Sequence, residues 1–231
     1  LADKGYLGVN LPERYGGAGL GIIEAALMMR TVAASGAAMS GASAIHMNIF
    51  GLNPVVVFRN DEQKQRWLRP LIAGREKACF AVTEPNTGLD TAHLQSKAIL
   101  NGDHYLLSGA KVWISTAQVA QKMLILARTT PIENVAKPTL GLSLFYTNLD
   151  RRYVEVREIP KMGRHAVDSN QLFIDALPVP VVDRIGEEGR GFEYLLHGLN
   201  PERILVGAEA IGIGQAALQR AANYAKERVV F

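Results

Sequence analysis

The hydrophobic period changes twice along this chain, and that order limits its architecture more than any single motif. Residues 1–77 read in helical period. Gly16, Gly17 and Gly19 mark a loop, and Ile22 to Thr31 carry apolar residues three or four apart. Asn60 reads as an N-cap, with Asp61 and Glu62 in the first turn and Gln63 at the capping-box position. That helix sets Trp67, Leu68, Leu71 and Ile72 on one side and stops at Gly74. Residues 78–186 change to short alternating runs, ACFAVTE, HLQSKAIL, HYLLSG, KVWIS, KMLILART, GLSLFY, RYVEVREI and QLFIDAL. Gly, Asn, Asp and Pro separate them. Residues 187–231 return to helical period. Asn200-Pro201 reads as an N-cap with proline at the first helical position, which opens a helix from Glu202 to Glu227. Its apolar residues, Ile204, Leu205, Val206, Ile211, Ile213 and Leu218 among them, fall on most faces, as in a helix buried in a bundle. The expected fold class is α+β in the order α-β-α: a helical domain over 1–77, a β sandwich or barrel over 78–186, and the first helices of a truncated bundle over 187–231.

Composition adds exclusions. Hydrophobic residues make up 48% and charged residues 20%, enough to form a core. The formal net charge of +3 is spread along the chain with no Lys/Arg cluster, which suits solvated surface or a small polyanionic ligand and argues against nucleic acid. One cysteine, Cys79, permits no internal disulfide. No apolar run is expected to span a membrane. His46, His93, His104, His165 and His197 have no metal-ligand spacing and are assigned no role. Met28, Met29, Met39 and Met47 are expected to fill core. LADKGYLGVNLPE opens like the end of a helix, and ERVVF stops in mid-pattern, so both ends are expected to continue.

Two stretches about thirty residues apart carry the chemistry. CFAVTEPNTGLDT and GAKVWISTAQ each start on a strand. The Pro-Asn-Thr-Gly turn exposes backbone N–H groups, and Gly88 admits a close ligand. Thr83, Thr87 and Ser115 supply hydroxyls, and Trp113 a flat apolar face. Together these could grip an aromatic ring and a phosphate. The other reading is a polar turn beside a core tryptophan, and the residues alone leave both open.

Along essentially its whole length the chain resembles the acyl-CoA dehydrogenase family. The matching segments are LPERYGGAGLG, NDEQKQRWLRPLIAG, Phe80-Ala-Val-Thr-Glu-Pro with Gly88 and Asp90, Trp113-Ile-Ser, and MGRHAVDSNQLFIDALPVP followed by GEEGRGF. The resemblance implies a helical N-terminal domain, a middle β-barrel and the start of a C-terminal helical bundle. It implies FAD as cofactor and α,β-dehydrogenation of an acyl-CoA thioester to the 2-enoyl form. Electrons would pass to an electron-transferring flavoprotein. The assembly would be a homodimer or homotetramer, in the cytoplasm of a bacterium or the mitochondrial matrix of a eukaryote.

By position, Phe80, Val82, Thr83, Gly88 and Leu89 would line the flavin and its pyrophosphate. Trp113 would cover one flavin face, with Ile114 and Ser115 beside it. Arg228 would reach the pyrophosphate held by a neighbouring subunit. Leu89 replaces a serine that touches both phosphate and CoA in most members, which puts the CoA contact in doubt more than the FAD contact. Leu89, Ser169, Asn170 and Arg203 would meet the substrate, with an internal ion pair as the alternative for Arg203. The resemblance places the catalytic base either at Glu202, as in isovaleryl- and long-chain-type branches, or on a C-terminal loop past Phe231. Glu209, seven residues on and on nearly the same face, is a weaker candidate. At a helix N-terminus the Glu202 carboxylate would be stabilised by the dipole, against burial that raises its pKa. Glu84 reads as structural, holding the turn through backbone bonds. Two rival readings are an oxygen-using enzyme of the same fold (acyl-CoA oxidase or flavin monooxygenase) and a DNA-binding alkylation-response member.

Overall fold

The computed structural model describes residues 1–231, apart from the side chains of residues 47–50, so the expectation for Met47 lies outside the described residues. The N-terminal layer opens with three short 3-10 turns rather than a helix end. It continues with α1 (Ile22–Val32), a π turn (Ala33–Ala37), α2 (Ala38–Phe50), α3 (Asn53–Phe58) and α4 (Asp61–Ile72). The capping box forms as read: Asn60 Oδ1 accepts from the Gln63 N–H at 2.9 Å, and Gln63 Oε1 accepts from the Asn60 N–H at 3.2 Å. Trp67, Leu68, Leu71 and Ile72 are all buried.

By length and composition alone Ile22–His46 is apolar enough to cross a membrane, contrary to the sequence expectation. Gly36 (φ 96°) and Ala38 (φ 48°) break its line. Ala25, Met29, Ala42 and Ile45 pack with Leu205 of the C-terminal helix. Of the methionines, Met29 is core as expected and Met28 is half-buried against it. Met39 instead lines a cleft described below.

Eight strands follow: β1 (Ala78–Ala81), β2 (Lys97–Asn101), β3 (His104–Ser115), β4 (Lys122–Arg128), β5 (Leu142–Asn148), β6 (Val154–Glu158), β7 (Ser169–Pro180) and β8 (Arg184–Ile185). They hydrogen-bond in the order β6-β7-β3-β2-β4-β5-β8, with β1 parallel to β4. The β2–β4 link is the single pair Lys97/Arg128, so the sheet doubles over there, with β6 and β8 at the two ends of the strand order. HYLLSG and KVWIS form one strand, β3, kinked by register shifts at Leu107/Gly109 and Lys111/Ile114.

β4 and β5 are buried on both faces, which explains why they read as nearly continuous apolar runs. Leu124, Leu126, Leu142, Leu144 and Tyr146 meet Trp67, Leu71 and Leu195 of the helices. Met123, Ile125 and Phe145 meet Tyr105, Leu107 and Leu172 across the fold of the sheet. Cys79 is buried in that second cluster, and burial pushes its thiol up to about 12.

The last element, α5, runs unbroken from Gly191 to Glu227. Asn200 is therefore no N-cap, and Pro201 lies inside the helix. A proline there supplies no N–H to the carbonyl four residues back, and its ring crowds that oxygen. The freed His197 carbonyl accepts from Asn53 Nδ2 at 2.6 Å, so α3 satisfies what Pro201 leaves open. α5 packs on α1, the π turn, α2 and α3. It is only partly covered, and Ile204, Ile211 and Leu218, seven residues apart, are exposed.

Closest approach comes at Gly212, where a Cβ would lie 2.2 Å from the Arg30 carbonyl oxygen. Gly212→Ala must therefore lift α5 from α1. A loss of about 1–3 kcal/mol is expected, as for overpacking. Thermal unfolding reads it as a Tm lower by about 2–4 °C per kcal/mol.

Candidate active site

The β3 irregularity builds the site. Between Lys111 and Ile114 the register slips, and Trp113 takes φ 62°, a left-handed conformation that is costly for a bulky residue. The slip turns the indole outward. Trp113 is 61% exposed, which rules out the core-tryptophan reading. Its neighbours Val112 and Ile114 are buried.

A second side chain holds the irregularity from within. Lys111 is fully buried, and its Nζ donates to the Val82 carbonyl (3.1 Å), the Leu126 carbonyl (2.7 Å) and Glu84 Oε1 (2.9 Å). Glu84 also accepts from the Gln95 N–H at 2.7 Å and the Ser96 N–H at 3.0 Å. Glu84 thus acts through backbone bonds as expected, but to the segment entering β2 as well as through its own turn, where Thr87 N–H donates to the Glu84 carbonyl at 3.1 Å. Burial alone would raise the Glu84 carboxyl. The Lys111 ammonium and the hydrogen bonds outweigh it and hold the group below its ordinary value.

A cleft of about 230 Å³ lies between this strand and the helices. Its lining is Met39 and His46 of α2, Phe80 of β1, Trp113 and Ser115 of β3, Arg164 of the β6–β7 connection, and Glu202 and Val206 of α5. Arg164 also hydrogen-bonds Ser43 of α2. Three residues singled out for the flavin, Phe80, Trp113 and Ser115, thus share one cleft with the candidate base.

Glu202 sits in the interior of α5, away from any helix N-terminus, so the expected dipole stabilisation is absent. Partial burial raises its pKa above the ordinary carboxylate value. His46 and Arg203 oppose that rise, and Glu209 adds to it. Glu209 is completely buried and bonds His46 Nδ1 at 2.8 Å. It is therefore removed from candidacy as the base, and His46, assigned no role from sequence, becomes part of the site. Their separation of 163 residues left no local pattern to find.

The other positions scatter. Val82 and Ile114 turn their side chains into the core, leaving only their main chain for any ligand. Thr83 is half-buried and its carbonyl accepts from the Val112 N–H at 2.9 Å. Gly88 lies on an exposed turn, where an added Cβ would meet nothing within 4 Å, and Leu89 beside it is fully exposed. The neighbouring Thr87 Oγ1 is buried without a hydrogen-bond partner, a polar atom that a ligand at this turn would satisfy.

Asn170 is corrected as a substrate contact. It is fully buried, donating to the Ile114 carbonyl at 2.8 Å and accepting from Gln118 Nε2 at 2.8 Å. Ser169 is largely buried opposite Ser115 in the β3–β7 ladder. Arg203 is exposed and bonds Asn200 Oδ1 at 2.8 Å, with no ion pair among the described residues. Arg228 caps the far end of α5, exposed and away from the cleft.

Comparison with known proteins gives consistent matches. Family models of the acyl-CoA dehydrogenase N-terminal, middle and C-terminal domains match residues 1–75, 79–177 and 189–231. An acyl-CoA dehydrogenase of Bacillus subtilis is 33% identical over 232 residues, which is 100% of this chain and 60% of that protein. The CarC subunit of the caffeyl-CoA reductase-Etf complex of Acetobacterium woodii is 31% identical, again over 100% and 60%. Among solved structures, butyryl-CoA dehydrogenase from Megasphaera elsdenii superposes with a TM-score of 0.92 at 30% identity, over 100% of this chain and 60% of that one. A glutaryl-CoA dehydrogenase from Mycobacterium smegmatis in complex with FADH2 gives 0.88 at 25%, over 100% and 57%. The chain spans about 60% of the length of the curated relatives it matches.

Proposed function

This chain belongs to the acyl-CoA dehydrogenase family, and from that premise we propose that it forms the cleft of an FAD enzyme oxidising an acyl-CoA thioester to its 2-enoyl form. The observation that carries the reading is a carboxylate of raised pKa, Glu202, lining the same cleft as an outward-turned indole, Trp113, and the Ser115 hydroxyl.

The residues present fit the cofactor. Trp113 offers a flat apolar face, Phe80 a wall, Ser115 a donor, and the Thr87–Gly88 turn an unpartnered hydroxyl with open space for a phosphate. Val82 and Ile114 would contribute main chain only. When bound, FAD supplies the acceptor for the substrate's β-hydride. The relative crystallised with FADH2 supports this choice.

Glu202 takes the α-proton. That proton is weakly acidic, so the base must be held close and partly desolvated, with a pKa above that of a free carboxylate. Burial beside Val206 and opposite Trp113 provides this. Leu89, Ser169 and Arg203 stay outside this part of the cleft and are assigned to the substrate's distal portion. Electrons leave to an electron-transferring flavoprotein, as the Etf-linked relative suggests, and the assembly is a homo-oligomer in which Arg228 completes a neighbour's cofactor site.

The test uses the full-length holoprotein with short, medium, branched and long acyl-CoAs. Anaerobic 2-enoyl-CoA formation coupled to electron-transferring flavoprotein supports the reading and names the acyl class. Rapid turnover with O₂ in its place assigns an oxidase, and no product from any acyl-CoA by FAD-loaded protein overturns the acyl-CoA reading.

A further inference from the structure

α2 and α5 meet at a buried ionisable pair that the proton transfer itself does not require. His46 Nδ1 and Glu209 Oε1 are 2.8 Å apart, with side chains 8% and 0% exposed. Glu209 Oε2 is buried with no hydrogen-bond partner. A well-packed apolar pair would hold two helices at least as well, because burying charge is costly and the unsatisfied oxygen adds to the cost. The placement gives the pair a use. Glu209 is seven residues, about two turns, after Glu202 on the same face of α5. His46 lines the cleft beside Glu202.

We propose that the His46–Glu209 pair is a positioning device for Glu202: Glu209 anchors the imidazole through Nδ1, and the anchored imidazole fixes the base's carboxylate and answers its charge from the α2 side. The inference rests on the reading of Glu202 as base. The ionisable groups that meet Glu202 here are His46 from α2, Arg203 and Glu209 from α5, and Arg164 from the β6–β7 connection. Among the described residues, β1 and β3 present Phe80, Trp113 and Ser115 to the cleft. Of these groups, His46 leads in favouring the ionised base and Glu209 disfavours it, so the two substitutions have distinguishable signs.

The experiment follows flavin reduction by acyl-CoA against pH in the full-length holoprotein. In His46→Gln the influence that favours ionised Glu202 is lost while that of Glu209 remains. The acid limb moves up by about half a pH unit or more, a roughly threefold or greater slowing on the acid side. In His46→Gln/Glu209→Gln the opposing charge is also gone, and the limb returns toward wild type. An unmoved limb in folded, FAD-loaded His46→Gln overturns the proposal.

A second readout needs neither turnover nor a His46 variant. The imidazole NMR resonances of His46 are compared at one fixed pH in wild type and in Glu202→Gln. Loss of the neighbouring carboxylate moves the His46 resonances if the two are coupled, and unmoved resonances overturn the coupling. If Glu202→Gln reduces flavin at the native rate, the base assignment itself has failed. If that variant is inactive while the limb and the His46 resonances stay fixed, only the positioning role has failed.

Discussion

Lys111→Met lowers stability by about 3–5 kcal/mol, the range for breaking a buried ion pair from one side. The substitution keeps the volume of the aliphatic stem but removes three hydrogen bonds at once. The Val82 and Leu126 carbonyls lose their side-chain donor, and Glu84 keeps a buried charge with only the Gln95 and Ser96 N–H groups to answer it. Calorimetry of the variant is expected to show a Tm about 10 °C lower, from about 2–4 °C per kcal/mol at this size.

The pH dependence checks the cause. In wild type Glu84 is held below its ordinary value, so its contribution is present at neutral pH and is lost as pH falls through the folded value. In the variant the carboxyl is released upward, and protonation relieves the unpaired charge. The deficit between variant and wild type should therefore shrink as pH falls from 7 toward the ordinary carboxylate range. A deficit independent of pH would make Lys111 a packing residue only. The same change should blur the Trp113 bulge, because Lys111 ties β3 to the turn after β1 and to β4. Weaker FAD retention at temperatures where the variant is still folded is the expected companion result.

Glu202→Gln has the largest expected effect on chemistry. Glutamine preserves shape and hydrogen bonding and removes the proton acceptor. A positioned general base contributes roughly 10²–10⁴-fold, and the reductive step is expected to slow by that much while FAD content and Tm stay near wild type. The wild-type profile carries its own signature. Burial raises the Glu202 pKa, and the base must be ionised to act. The rate should fall with decreasing pH through a midpoint above the ordinary carboxylate value. A midpoint at or below that value would mean that Glu202 is solvated during turnover or that another group is the base.

Much of the architecture was legible because local rules and tertiary structure agreed. The Asn60 capping box, the end of α4 before Gly74, and the short strands separated by turn residues all depend on near neighbours. Pro201 shows where local rules fail. Asn-Pro is an N-cap signature, yet the helix continues because Asn53, far away in sequence, takes the His197 carbonyl that proline leaves free. The dipole argument for Glu202 failed with it, and burial, with Glu209 adding to it, decides the direction of its shift.

At the site, sequence could name Trp113 without deciding between core and ligand, since the deciding fact is a register slip on β3. In the sequence His46 carried no role and Glu209 was only a weaker candidate for the base. Their meeting depends on how α2 crosses α5. Asn170 was placed at the substrate by the family resemblance alone, and its burial follows from the pairing of β3 with β7.

The most direct test of the central claim is anaerobic stopped-flow mixing of full-length holoprotein with its best acyl-CoA, following flavin absorbance in wild type and Glu202→Gln. The account predicts rapid bleaching in wild type and a loss of about 10²-fold or more in the variant, with equal FAD content in both. Bleaching of both proteins at the same rate would contradict it, leaving Glu202 a structural carboxylate and placing the base elsewhere.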